Sequence, residues 1–268
     1  MTCLKWFGWT DRGRVRSNNE DAFLGVRFDG EGGVHLGRIG DACLGHEDFV
    51  FAVSDGMGGA KAGEFASKIA TEKIMRRLPP AYRQGAVGVD AGFGDVLTEL
   101  FSDVHRALIF LGDSYEECAG MGATLSLCWF TPGWLYLAHI GDSRIYYLPA
   151  AGGLRQLTHD DTHVGWLYRN GKISEREARN HRGKNALQKA LGAGHQFVDP
   201  QLGAVGYEIG DRFLLCSDGV VDGLFDAQIE SALMHPDPDS NPAQKLVEAA
   251  VESSGRDNTT ALVIEVCG

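Results

Sequence analysis

The sequence predicts a strand-rich α+β fold, of sandwich or barrel type, with a few amphipathic helices. Short apolar runs bounded by Gly-rich turns recur along most of the chain, which is the pattern of layered β structure. Apolar positions at helical spacing recur in only a few stretches, and no internal repeat is visible.

In chain order the strand-like segments are residues 22–28, 49–54, 123–130, 134–140, 144–148, 212–216 and 259–266. A first helix is expected over about 61–78, where Ala62, Phe65, Ala66, Ile69, Ala70 and Ile74 share one face. A second starts near residue 91, with Phe93, Val96, Leu97, Leu100, Val104, Leu108 and Leu111 on its apolar face. Ser174-Glu175-Arg176-Glu177 reads as a capping box for a short helix through Asn180. Asn241 is an N-cap candidate, with Pro242 at the first helical position and Gln244 at the third. Residues 1–268 are expected to form a single domain. A Gly-rich insertion at about 29–48 and a polar flap at about 160–194 decorate it.

Hydrophobic content of 44% and charged content of 23% suit a globular protein with a sizeable core. A formal net charge of −11 speaks against nucleic acid or an anionic membrane as partner. The six cysteines (Cys3, Cys43, Cys118, Cys128, Cys216, Cys267) show no CxxC pairing, so neither a disulfide framework nor a zinc site is expected. With no signal-peptide pattern over residues 1–16 and no long apolar stretch, the expectation is a soluble protein of the reducing cytoplasm.

Three aspartates stand at strand ends. Asp55 follows the run 49–54, Asp218 follows 213–217, and Asp257 precedes 259–264. Carboxylates converging at sheet edges repel one another unless a hard cation holds them, so a divalent-metal site is expected. An aspartate after a strand is ordinarily a turn former or N-cap, and each of the three has that alternative reading. Glu20 and Asp21 before the strand 22–28, and Asp142 in the turn before 144–148, add further acidic elements. Asp142 reads as a turn carboxylate bonded to backbone amides, and His139 beside it as a hydrogen-bonded structural histidine.

Seven blocks then carry a more specific resemblance: DRGRVRSNNED (11–21), VSDGMGGAKAGEFAS (53–67), GMGATL (120–125), AHIGDSRIYYL (138–148), LTHDDT (157–162), LLCSDGVVDGL (214–224) and GRDNTTALVI (255–264). In this order they resemble the bacterial members of the PP2C family (PPM class) of metal-dependent Ser/Thr protein phosphatases. The resemblance implies an αββα sandwich, two antiparallel sheets between helix pairs, with the active site at one edge. It implies that Asp55 bridges two Mn²⁺ or Mg²⁺ ions and that the Gly56 carbonyl contacts the second. Asp218 and Asp257 then bind the first ion, Glu20 holds the second through water, and Arg16 grips the substrate phosphate. Oxygen ligands suit these ions, which make hydroxide from a bridging water near neutral pH, and a guanidinium can take two phosphate oxygens at once.

The chain departs from the family pattern at two positions. Met57 stands where some members have a histidine general acid, which leaves a metal-bound water or a flap histidine (His159, His163 or His181) as proton donor. Ala119 stands where an acidic residue helps hold a third ion in many bacterial members, with Glu116 and Glu117 just upstream, so a third ion stays unassigned. The expected function is a cytoplasmic phosphatase of phosphoserine and phosphothreonine in proteins, opposing a Ser/Thr kinase. The alternatives are a phosphoprotein-binding pseudophosphatase and a phosphatase of small phosphorylated metabolites.

Overall fold

The computed structural model describes residues 2–29, 32–86, 92–237 and 240–268. The first strands are β1 (Cys3–Asp11), β2 (Asp21–Phe28), β3 (Gly33–His35), β4 (Ile39–Cys43) and β5 (Asp48–Met57). Helices α1 (Ala60–Ala86) and α2 (Phe93–Ser114) follow, then a 3₁₀ turn at Glu116–Cys118. Next come β6 (Gly122–Ala123), β7 (Leu125–Thr131), β8 (Trp134–Ile140), β9 (Arg144–Leu148) and β10 (Arg155–Gln156). Two short helices, α3 (His163–Arg169) and α4 (Glu175–Arg179), precede β11 (Leu191–Gly192), β12 (Gln201–Gly206) and β13 (Arg212–Cys216). The remaining elements are α5 (Asp218–Gly223), α6 (Asp226–Met234), α7 (Pro242–Ser253) and β14 (Thr259–Cys267).

Among the described residues the strands form two antiparallel sheets. One runs β10-β9-β13-β14-β1-β4; the other runs β11-β6-β5-β7-β8-β12, with β2 joining β5 and β3 joining β2. Their central strands are apolar on both faces because each face meets a different core. In β5, Phe49, Phe51 and Val53 pack between the sheets, while Val50 and Ala52 face α1 and α2. In β14, Leu262 and Ile264 point between the sheets, and Ala261 and Val263 point toward α5, α6 and α7. Three buried clusters therefore separate four layers, which is the αββα sandwich. At about 25 cal/mol per Å² of buried apolar surface, such doubly covered strands contribute most of the driving force for folding.

The expected strands and helices are present, with longer bounds for α1, β5 and β14, except that the expected strand 123–130 is split at Thr124 into β6 and β7. The expected start of the second helix near residue 91 lies outside the described residues, as do residues 30 and 31 of the insertion. Asn241 accepts a hydrogen bond from the Gln244 amide at 3.1 Å, and Ser174 and Glu177 form the anticipated capping box. The insertion joins both sheets: β3 pairs with β2, and β4 pairs with β1.

One expectation is corrected. Cys3 and Cys43 form a disulfide, because the β1–β4 register places them opposite each other 40 residues apart in sequence. The cysteine argument for a reducing compartment therefore does not hold. Cys118, Cys128, Cys216 and Cys267 are free, and Cys128 and Cys216 are buried among apolar side chains, as expected. No helix among the described residues is long and apolar enough to cross a membrane.

Candidate active site

The strand ends bring the separated acidic motifs to one place. Asp55 lies near the end of β5, Asp218 opens α5 directly after β13, and Asp257 sits in the turn before β14. They line one cleft of about 350 Å³ together with Arg16, Glu20, Gly56 and Asp142. All the site residues expected from the sequence are thus assembled there.

Close backbone packing positions them. A side chain at Gly56 would collide with the backbone of Gly63 in the first turn of α1, and one at Gly219 with the carbonyl of Asn258. Only glycine lets α1 and α5 begin so near the neighbouring loops. Asn258 ties the loops together: its Oδ1 accepts from the Glu20 amide at 2.7 Å, and its Nδ2 donates to the carbonyls of Arg12 and Asn18 at 2.8 and 2.9 Å. Asp55 is anchored by its amide, which donates to Thr124 Oγ1 at 3.0 Å, and by its carbonyl, which accepts from the Thr124 amide at 2.8 Å. Ser217 Oγ donates to Asp21 Oδ2 at 2.6 Å and accepts from the Thr260 amide at 3.0 Å. Sequence reasoning passed over Asn258, Thr124 and Ser217, although each stands within or beside a quoted motif.

The cluster is electrostatically unbalanced. Burial, reinforced by Asp21, Asp218, Asp142 and Asp257, holds the Asp55 carboxyl well above the usual range. Burial and then Asp142, Asp222, Asp257 and Asp21 do the same to Asp218. Asp142 is pushed up to about 7, first by burial and then by Asp160, and Asp21 to about 6, chiefly by burial. Glu20 is raised by burial, an effect that Arg16 opposes. Asp218 Oδ1 and Asp21 Oδ1 are buried without a hydrogen-bond partner. Buried carboxylate oxygens that lack donors and repel one another fit hard divalent cations. Asp257 is already engaged: its Oδ2 accepts from Arg16 at 2.7 Å, and its Oδ1 accepts from the Asn258 amide at 2.9 Å. Among the described residues no three metal-ligating side chains yet stand around a common point.

Asp142 joins this cluster, while the turn it occupies is held by Asp161. The Gly141 amide donates to Asp161 Oδ2 at 3.0 Å, and the Asp161 amide donates to the Gly141 carbonyl at 2.7 Å. His139 is fully buried, shares a hydrogen bond with Ser126 Oγ at 2.8 Å, and pairs through Nε2 with the Gly141 carbonyl at 3.1 Å. Burial lowers its pKa to about 4, so it is neutral and structural. Met57 lines the cleft, whereas His159, His163 and His181 do not. Glu117 faces the groove between α1 and α2, beside Phe65 and Leu111.

The flap packs back onto the fold near the cleft. Thr162 bridges to Leu187, Lys184 pairs with Asp222, and Arg179 donates to the Asp222 carbonyl at 2.7 Å. Asp222 lies one turn beyond Asp218 on α5, and the flap residues Asn185 and Leu187 line the cleft.

Two antiparallel sheets between helices, with an acidic cleft across their strand ends, define the class of fold that the sequence motifs imply. A family model described as Protein phosphatase 2C matches residues 38–249. The chain belongs to the protein phosphatase 2C family. It is 34% identical over 267 residues to the serine/threonine protein phosphatase PstP of Mycobacterium tuberculosis, covering 98% of this chain but only 45% of that protein. It is 32% identical to the serine/threonine phosphatase stp of Listeria innocua, covering 96% of this chain and 93% of that one. The crystal structure of the PstP catalytic domain in complex with 2 manganese ions superposes with a TM-score of 0.77 at 30% identity, covering 100% of both chains.

Proposed function

We propose that the chain is a single phosphatase domain that hydrolyses phosphoserine and phosphothreonine in cytoplasmic proteins, among them a Ser/Thr kinase or its targets. The observation that supports this best is the cleft that unites Asp55, Asp218, Asp257, Glu20 and Arg16 from separate segments. Asp55, the Gly56 carbonyl, Asp218 and Asp257 would hold two Mn²⁺ or Mg²⁺ ions, with Glu20 as an outer-sphere partner. When bound, such ions acidify water and offset phosphate charge. Arg16, half-exposed and aligned by Asp257, presents its guanidinium to phosphate oxygens. Thr124, Asn258 and Ser217 fix the backbone around the carboxylates, so little reorganisation accompanies substrate binding. Among the described residues no histidine lines the cleft.

The test is hydrolysis of a phosphothreonine peptide, p-nitrophenyl phosphate and a phosphosugar, with Mn²⁺, with EDTA, and in Asp55→Asn and Asp257→Asn. Metal-dependent turnover of the peptide, reduced at least about 100-fold in both variants, is expected. Peptide binding without turnover supports the pseudophosphatase reading, and preferred turnover of the sugar supports the metabolite reading. Full activity in both variants overturns the site.

A further inference from the structure

Three cysteines stand in one row across three neighbouring strands, remote from the cleft. The β1–β4 register sets Cys3 opposite Cys43, and the β1–β14 register sets Cys3 opposite Cys267. Directly opposed residues of antiparallel strands project to the same face of the sheet. In each strand the adjoining residue, Leu4, Ala42 or Val266, turns into the core between the sheets. Cys43 is exposed, and Cys3 and Cys267 are half-buried. The next outward row is Asp41, Lys5 and Glu265, so the cysteines share a polar face. Cys3 is bonded to Cys43, and the free Cys267 thiol donates to the Cys3 carbonyl at 3.4 Å.

We propose that this row is a thiol–disulfide exchange site in which Cys3 is shared between Cys43 and Cys267, with low-molecular-weight disulfides as its oxidising substrates. From the reduced state, the exposed Cys43 thiolate attacks a small disulfide, forming a mixed disulfide and releasing one small thiolate. The Cys3 thiolate then displaces the second small thiolate and closes the Cys3–Cys43 bond. Two protein thiols are oxidised, one small disulfide is reduced to two thiols, and the two protons pass to solvent and the released thiolates. In the second step the Cys267 thiolate attacks Cys3 Sγ. The Cys3–Cys43 bond breaks, its electron pair leaves on Cys43 Sγ, and Cys43 takes up a proton in place of the one Cys267 lost. This step needs no oxidant.

Geometry makes Cys3 the obligatory partner. Cys43 and Cys267 lie on strands separated by β1, about 9.6 Å apart at the usual strand spacing, beyond the reach of a direct bridge. Burial, with Glu265 and Asp41 nearby, raises the Cys267 thiol, so only the fraction present as thiolate attacks Cys3 and this exchange is the slower of the two steps. Exchange moves the cross-link inward, from the edge strand β4 to β14, and releases the insertion from its covalent tie.

Disulfide mapping by mass spectrometry on the full chain, after equilibration with glutathione disulfide, tests this without reading phosphatase activity. Wild type is expected to carry the Cys3–Cys43 link together with a Cys3–Cys267 fraction. Cys43→Ser is expected to form Cys3–Cys267, with loss of maleimide labelling at both residues. Cys3→Ser is expected to form no internal link between Cys43 and Cys267. Circular dichroism establishes that each variant is folded. Retained labelling of Cys3 and Cys267 in folded, oxidised Cys43→Ser overturns the proposal, and so does a Cys43–Cys267 link in Cys3→Ser.

Discussion

Gly219 shows how little room the site leaves around single residues. Gly219→Ala drives a methyl group into the carbonyl of Asn258 and displaces the turn that carries Asp257. The expected outcome is a loss of about 1–3 kcal/mol in denaturant unfolding and about a 100-fold fall in hydrolysis. Asp48 is a different case, a buried carboxyl far from the chemistry. It accepts from Trp129 Nε1 at 2.9 Å, yet burial pushes it up to about 6 from 3.8. The folded state therefore holds this proton more tightly than the unfolded chain does. The stability contributed is full below pH 3.8 and is lost as pH rises through about 6. Asp48→Asn keeps an acceptor for the indole and removes the charge, so it should stabilise the protein by about 1–2 kcal/mol at pH 7 and by little at pH 4. Equal melting-temperature shifts at both pH values would contradict this.

At the scale of elements, the flap depends on a few polar ties to α5. Lys184→Met breaks the pair with Asp222 and keeps the aliphatic stem. Removing a tie of about 1 kcal/mol should speed amide exchange over residues 175–187 about fivefold while leaving α7 unchanged. Legibility in the sequence followed the same physics. Strands β5, β13 and β14 were readable because both faces are apolar, and α7 because Asn241 and Pro242 announce its start. Strand β12 escaped because its residues are mostly exposed, with Gly203 and Gly206 in place of patterned side chains. Strand β1 escaped because Trp6 and Phe7, adjacent in sequence, serve cores on opposite faces and break simple alternation. The carboxylates were legible as strand-end aspartates. Asn258, Thr124 and Ser217 were not, because their role is to bond partners up to 246 residues distant. The Cys3–Cys43 pairing was hidden for the same reason, since strand register leaves no local mark.

For the whole molecule, the carboxylate cluster makes stability depend on cations. Mn²⁺ at about 100 times its dissociation constant should add about 2.7 kcal/mol, a rise of about 5–10 °C in melting temperature. EDTA should reverse it, and Asp55→Asn should remove most of it. A melting temperature insensitive to Mn²⁺ would show that the cluster binds no ion of consequence.

The insertion has a mechanical meaning. Only residues 36–38 separate β3, which hangs on one sheet, from β4, which hangs on the other. It is a short tie rod between the two plates of the sandwich, fastened at an outer strand of each. A load that pries the plates apart on this side must first unzip β3 from β2 or β4 from β1, and the Cys3–Cys43 bond holds the second of these fastenings shut.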